Sequence, residues 1–348
     1  MACSKYAFPE EMTIEILKRV PGKSLLRSKC VCKSWLSIIS DPEFVKTHSC
    51  YQQILTDKEP SLFMIAKSEL YALPPLVSPD FKCYVYEPHR FTVVGSCNGI
   101  ICMVFELHCY LWNPLTKKCK EVPKFPRCQM TVVPDHYACN LAFYFDPISN
   151  AYKVLRLFRE QTTTGELPVL QIYSTNTNSW REILVQDTSP TKVMCYPYIK
   201  LGPIINGVMY MGRKEYVVSF NLQSEVCTVV PTPSSMVRYS DILDFEGSVA
   251  VIFGSRDKGS EISLWTLDNI HDEVSWTKKF NIVEDSMGWI YSCLGGGLLY
   301  GRTRDDVALF FLYDYRKKDF KYIPLSGSRL KTVLTYTETL ASIEGAES

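Results

Sequence analysis

Tyr110-Leu111-Trp112-Asn113-Pro114-Leu115-Thr116, then the basic turn Lys117-Lys118-Cys119-Lys120 and Glu121-Val122-Pro123, form the stretch whose reading decides the fold. An apolar, aromatic run stops at Asn-Pro, a polar turn follows, and a second short run ends on proline. Aromatic and β-branched residues bounded by such turn residues read as hairpin strands. The unit recurs as Gln171-Ile172-Tyr173-Ser174-Thr175-Asn176 with Ser179-Trp180-Arg181-Glu182-Ile183, and as Val218-Ser219-Phe220-Asn221-Leu222 with Thr228-Val229-Val230-Pro231. Ser263-Leu264-Trp265-Thr266-Leu267-Asp268 with Val274-Ser275-Trp276-Thr277, and Leu312-Tyr313-Asp314-Tyr315 with Lys321-Tyr322-Ile323-Pro324, complete the series.

The anchors Trp112, Tyr173, Phe220, Trp265 and Tyr313 lie 61, 47, 45 and 48 residues apart. The long first gap holds an additional hairpin, Phe143-Tyr144-Phe145-Asp146-Pro147 and Tyr152-Lys153-Val154-Leu155. Apolar pairs such as Gly99-Ile100-Ile101-Cys102 and Gly207-Val208-Met209-Tyr210 precede the anchors. About 45 residues and four strands per unit fit a propeller blade. A poorly marked first unit is placed at residues 61–86, and Thr332-Val333-Leu334-Thr335-Tyr336 is expected to close the ring against it. Closure removes the exposed edges that an open β-array or a pair of sandwiches would keep. The expectation is about six blades.

Residues 1–48 have helical texture instead. Pro9, Glu10 and Glu11 suit a first helical turn, where an amide lacks a partner and the macrodipole favours negative charge. Met12, Ile16, Leu17 and Val20 follow at helical spacing until Pro21-Gly22. A second short segment carries Leu25 and Leu26, and a third carries Val31, Trp35, Ile38 and Ile39. Asp41-Pro42 starts a short turn with Phe44 and Val45, and residues 49–60 read as a connection. A unit of about 45 residues is near the lower limit for an independent core, so apolar surface is expected to remain for a partner.

Phe8-Pro9-Glu10-Glu11, Ile14-x-Ile16-Leu17, Val20-Pro21-x-Lys23-Ser24-Leu25-Leu26, Lys29-Cys30-Val31-Cys32-Lys33-Ser34-Trp35 and Ile38-Ile39-Ser40-Asp41-Pro42-Glu43-Phe44 together resemble a plant F-box. Phe8 stands where that family usually has Leu. The resemblance implies docking on the adaptor Skp1 (ASK in plants), and through it on cullin-1 and a RING subunit. Position by position, Phe8, Pro9, Met12, Ile16, Leu17, Leu25, Leu26 and Val31 would supply the apolar face, with Trp35 anchoring the third helix. Val94-Gly95-Ser96-Cys97-Asn98-Gly99, Leu111-Trp112-Asn113-Pro114, Phe145-Asp146-Pro147, Ile172-Tyr173-Ser174 with Ser179-Trp180-Arg181, and the closing Tyr336-Thr337-Glu338-Thr339-Leu340 resemble the F-box-associated domain. That kelch-like domain, which lacks a full set of double glycines, implies target recognition. The chain thus divides into an F-box at 1–48, a linker at 49–60 and a β-domain at 61–348: α+β by segments, with three helices before an all-β propeller-like part.

Composition narrows the function. With 348 residues and 46% hydrophobic content, the chain carries 38 Lys+Arg against 37 Asp+Glu. No basic field for nucleic acid or anionic lipid is expected, nor any membrane span. Fourteen cysteines without a visible signal peptide read as core thiols of a reducing cytosol or nucleus. Cys30 and Cys32 read as helical residues on different faces. Neither Cys97, Cys102, His108, Cys109 and Cys119 nor Cys128, His136 and Cys139 has paired zinc spacing, so no metal is expected. No phosphate loop, nucleophile elbow or facing carboxylate pair is legible, so neither catalysis nor a cofactor is expected. The reading is a non-catalytic receptor subunit of a ubiquitin ligase. The alternative is a glycan- or peptide-binding propeller that uses its F-box outside ubiquitination.

Overall fold

The computed structural model describes residues 8–58, 62–66, 70–73, 82–83, 91–105, 108–126, 140–163, 165–184, 200–213, 216–233, 239–254, 261–269, 274–283, 287–294, 298–303, 309–324 and 330–343. Four helices come first: α1 (Glu10–Leu17), α2 (Gly22–Ser28), α3 (Lys33–Ser40) and α4 (Pro42–Lys58). Proline sits at the N-cap of α1 and of α2 (Pro9, Pro21), where its fixed φ leads into the helix and no amide is wasted. The Asp41 carboxylate accepts from the Phe44 amide at 3.0 Å and starts α4.

Three expectations change here. The described residues hold four helices rather than three, and the short turn after Asp41 is a helix of 17 residues that runs through 49–58. Ser49 and Gln53 are polar, and the helical spacing of Tyr51, Ile54 and Leu55 around them was passed over. Their helix is held by partners distant in sequence. Cys30 and Cys32 lie between α2 and α3 rather than on a helix, Cys32 being the extended N-cap of α3.

The β-part forms six four-stranded sheets, in line with the period. The first comprises β1 (Leu62–Ala66), β2 (Leu70–Leu73) and β3 (Lys82–Cys83); the second, β4 (Phe91–Cys97), β5 (Ile100–Phe105), β6 (His108–Asn113) and β7 (Lys118–Glu121). The third holds β8 (Leu141–Asp146), β9 (Ala151–Thr162), β10 (Gly165–Ser174) and β11 (Ser179–Leu184); the fourth, β12 (Lys200–Ile205), β13 (Val208–Arg213), β14 (Tyr216–Asn221) and β15 (Cys227–Pro231). The fifth holds β16 (Tyr239–Phe245), β17 (Ser248–Gly254), β18 (Glu261–Asn269) and β19 (Ser275–Val283); the sixth, β20 (Met287–Leu294), β21 (Leu298–Thr303), β22 (Leu309–Asp314) and β23 (Asp319–Pro324). The last strand, β24 (Leu330–Thr335), returns to pair antiparallel with β1, with Met64 opposite Val333. The expected closing strand therefore takes the first place in the first sheet.

The five aromatic anchors all fall on third strands: β6, β10, β14, β18 and β22. The hairpin read as additional is β8–β9, the ordinary first half of the third sheet. The long gap arises instead from the 122–140 connection and from β9 and β10, which run 12 and 10 residues.

The core lies in layers between neighbouring sheets. One layer packs Leu155, Leu170 and Ile172 of the third sheet on Met209, Met211, Val218 and Phe220 of the fourth. Strands buried on both sides read as near-continuous apolar runs, as in Val249-Ala250-Val251-Ile252-Phe253. Trp180 of the third sheet donates Nε1–H to the Pro123 carbonyl at 2.8 Å, and Trp276 of the fifth does the same to Pro231 at 2.8 Å. The repeat's terminal proline and the next unit's tryptophan are thus partners across a sheet boundary.

Candidate docking face

α1 carries Met12 and Ile16 four residues apart, hence on one line, with Phe8 and Pro9 just before the helix. Phe8 is 66% exposed, Met12 and Ile16 are each 51%, and Val31 is 65%; Pro9 is exposed as well. A single exposed apolar residue needs no explanation, but four large ones within 24 positions do. Trp35 and Leu26 are half-buried against the helical core. Leu17 and Leu25, expected on the same face, are 2% and 0% exposed and pack inside with Ile38, Ile39 and Phe44. They support the face from beneath and present no surface to it. Sequence reading passed over Leu36, which is 46% exposed on α3. It stands one position off the Trp35–Ile39 stripe, and that offset was the available signal.

Charges flank α1. Glu15 accepts from Lys18 (2.9 Å) and Arg19 (2.8 Å), and both hold its carboxyl below the usual range. The basic turn of the second sheet lies by α2: burial first, then the nearby Lys118 cation, pulls the Lys29 ammonium down. At the α3 N-cap, the Ser34 hydroxyl and the Trp35 amide lower the Cys32 thiol.

Beneath this face runs the end of the chain. α2 begins with a proline cap that offers no side-chain acceptor. Glu338 supplies one from afar, its Oε2 accepting from the Lys23 amide at 3.1 Å. Leu340 enters the core formed by Leu17, Leu25, Ile39 and Phe44. Thr339 Oγ1 bonds Ser49 Oγ at 2.8 Å, and Thr337 Oγ1 donates to Gln53 Oε1 at 3.1 Å. Ser49 and Gln53 are one helical turn apart on α4, so the stretch read as a linker presents one polar face to the terminal segment. His48 is fully buried, stacks on Phe44 and donates Nε2–H to the Val20 carbonyl at 2.9 Å. Burial pushes its imidazole below the ordinary value.

The second sheet grips the same segment. Buried Asn113 donates Nδ2–H to the carbonyls of Thr339 and Ala341, each at 3.0 Å. Its Oδ1 accepts from Leu115 and Thr116 amides at 3.0 and 3.2 Å, which shapes the turn. Leu115 packs against the helical core, and Ile343 enters the core between the second and third sheets.

The cysteines behave as core thiols where they are buried. Cys102 and Cys109 are 3.6 Å apart inside the second sheet. Burial pushes Cys97 and Cys227 up to about 11. His108 pairs with Glu121 at 2.6 Å. Among the described residues no three His, Cys, Asp or Glu side chains converge on a common point, and no helix is long and apolar enough to cross a membrane. Cys128, His136 and Cys139 lie outside the described residues.

Two family models match the chain. Residues 7–47 match the F-box domain and residues 54–328 the F-box associated beta propeller domain. F-box protein At2g40925 of Arabidopsis thaliana is 23% identical, over 92% of this chain and 86% of its own length. F-box/kelch-repeat protein At3g23880 of the same plant is 24% identical over 80% of each chain. The crystal structure of TolB from Acinetobacter baumannii covers 85% of this chain and 73% of its own, with a TM-score of 0.50 at 10% identity, a likeness of fold alone. The chain is therefore an F-box protein and belongs to the F-box-associated β-propeller family.

Proposed function

We propose that the chain is the target-recognition subunit of a Skp1–cullin-1–RING ubiquitin ligase, docking on Skp1 through its helices and holding a target protein on its ring, without catalysis of its own. The observation that carries this is the set of exposed apolar side chains Phe8, Pro9, Met12, Ile16 and Val31 on a unit that matches the F-box. Burying them on an adaptor removes water from them at about 25 cal/mol per Å². Leu26 and Trp35 flank the contact, while Leu17 and Leu25 hold its shape.

Transfer then follows from effective concentration: a target held on the ring and an E2 held on the cullin become parts of one assembly. In the second sheet the first-to-second turn at Gly99 and the third-to-fourth turn at Leu115, which antiparallel strands put at one end, meet the terminal segment and the helices, so this is the helix end. The target site is assigned to the opposite end, where the last strands of the second and third sheets, β7 and β11, finish. Docking belongs to 1–48 and recognition to 61–348, in the cytosol or nucleus, where free thiols persist.

The test is binding of purified Skp1 to the full chain. Phe8→Ala with Pro9→Ala changes two exposed residues, so the fold should survive and affinity should fall at least tenfold. Unchanged affinity in a folded variant would overturn the reading. Skp1 complexes that never recruit cullin-1 in cells would favour a ligand-binding propeller acting outside ubiquitination.

A further inference from the structure

The terminal segment 336–343 has partners on both sides, helices on one and the ring on the other. Thr337 reaches α4 through Gln53, and its carbonyl lies where a side chain on Gly99 of the second sheet would stand. Glu338 reaches the start of α2. Thr339 reaches Ser49 with its hydroxyl and Asn113 with its carbonyl. Leu340 enters the helical core, the Ala341 carbonyl returns to Asn113, and Ile343 enters the core of the ring. Tyr336, Thr337, Thr339, Leu340 and Ile343 are all buried. The segment also leaves directly from β24, whose last carbonyl, that of Thr335, accepts from Ser96 at 2.7 Å.

Helices of this size meeting a ring only through a flexible joint would sample many orientations, since few contacts cross such linkers. Here the joint is a buried strap that gives the side chains of 337–340 to the helices and the carbonyls of 337, 339 and 341, with Ile343, to the ring. We infer that residues 336–343 are a clasp that fixes the direction of the docking face relative to the ring, with Asn113, Glu338 and Thr339 as its positioning residues. Strand β24 closes the ring and the clasp follows without a break, so only a completed ring presents oriented helices. For ubiquitin transfer, which rests on the receptor reading above, the clasp sets where a ring-bound target stands relative to the E2. The clasp itself does not depend on that reading.

Hydrogen exchange on the full chain tests it. Asn113→Asp keeps the oxygen that caps the Leu115 turn but loses the donor that holds residues 339 and 341. Thr339→Val keeps the shape and loses the hydroxyl. Exchange at Lys23, Ser24 and Leu25 and along α4 should rise at least tenfold in either variant, while β13 and β14 keep their protection. Thr339→Ser, which retains the hydroxyl, should restore wild-type exchange. Small-angle scattering should show a larger maximum dimension for Asn113→Asp, with its Skp1 affinity within twofold of wild type. If Asn113→Asp does not fold, Thr339→Val decides. Unchanged helix exchange in the folded variants, or loss of protection spread evenly over helices and ring, overturns the clasp. A wild-type chain that fails to bind Skp1 while its clasp variants behave as stated would overturn the receptor reading alone.

Discussion

The second and fourth sheets are near copies that meet different neighbours. Both pass from first to second strand through Asn-Gly, with φ of 46° and 74° at Asn98-Gly99 and 50° and 74° at Asn206-Gly207. Both end the third strand on an asparagine whose Oδ1 accepts two amides of the following turn: Asn113 from Leu115 and Thr116, Asn221 from Gln223 and Ser224. Both turns finish on a residue in the left-handed region, Lys117 and Glu225, each at φ 59°. Around the second sheet lie the helices and the terminal segment; around the Gly207 turn there is open space. Where the copies agree, the residue serves the sheet. Where they part, as at Leu115 against Gln223, the residue serves the helices.

The sharpest way to break this comparison is at the two glycines. Alanine at either must adopt a left-handed φ, at about 1–2 kcal/mol. At Gly207 nothing lies within 4 Å of the added carbon, so that is the whole cost. At Gly99 the carbon would stand 2.2 Å from the Thr337 carbonyl oxygen and 2.5 Å from Thr339 Cγ2, and backbone must move. Gly99→Ala is expected to cost at least about 3 kcal/mol, and Gly207→Ala about 1. Urea midpoints at equal slope measure both. Equal losses would mean that the terminal segment does not press on the second sheet.

Acid separates the two regions next. His48 is buried as the neutral ring, and burial outweighs the Val20 carbonyl bonded to its Nε2–H and the Glu338 charge, which both favour the cation. Its folded pKa lies below the ordinary 6.5. Between the two values the unfolded chain binds the extra proton, so the stability is complete above about 6.5 and declines as pH falls below it. Exchange near Val20 and along α4 should therefore quicken from pH 7 to pH 5.5 before β13 and β14 change, after correction for intrinsic rates. His48→Gln should flatten that dependence, and a decline that is the same in wild type and variant would assign it elsewhere.

The repeated half of this design was readable because repetition averages over local noise. Five anchors near a common spacing located five third strands, and the closing strand followed from the need to leave no open edge. The exposed apolar side chains of the helical part were legible from motif positions: Phe8, Met12, Ile16 and Val31 all stand exposed. What escaped were contacts made across the chain. Leu17 and Leu25 share the face's spacing but are held inside by α3, α4 and Leu340, more than 300 residues onward. α4 escaped because the helical spacing of Tyr51, Ile54 and Leu55 was passed over, and because the partners of Ser49 and Gln53, Thr339 and Thr337, are announced by no local pattern. The third sheet's first hairpin looked superfluous because its neighbouring connection is long.

The mildest test lies at the outer side, away from the helices. Pro123, just beyond the second sheet, accepts from Trp180, and Pro231, ending the fourth, accepts from Trp276, both at 2.8 Å. If the two sheets differ only where the helices meet them, these latches should be equivalent. Trp→Phe at either position removes one donor and part of a ring, while the carbonyl left behind retains access to water at this partly open edge. Each should cost about 1 kcal/mol, the usual worth of a hydrogen bond of this kind. Trp180 also packs on Tyr173 and Phe125, with ring centroids 5.5 and 5.2 Å away. Phenylalanine keeps an aromatic face against both, so this packing should widen the difference by no more than a few tenths of a kcal/mol. Thermal melts of the two variants measure it. A Trp180→Phe loss several times that of Trp276→Phe would show that the second sheet is specialised through its whole depth, and that the helices draw on more of the ring than the turn and the clasp.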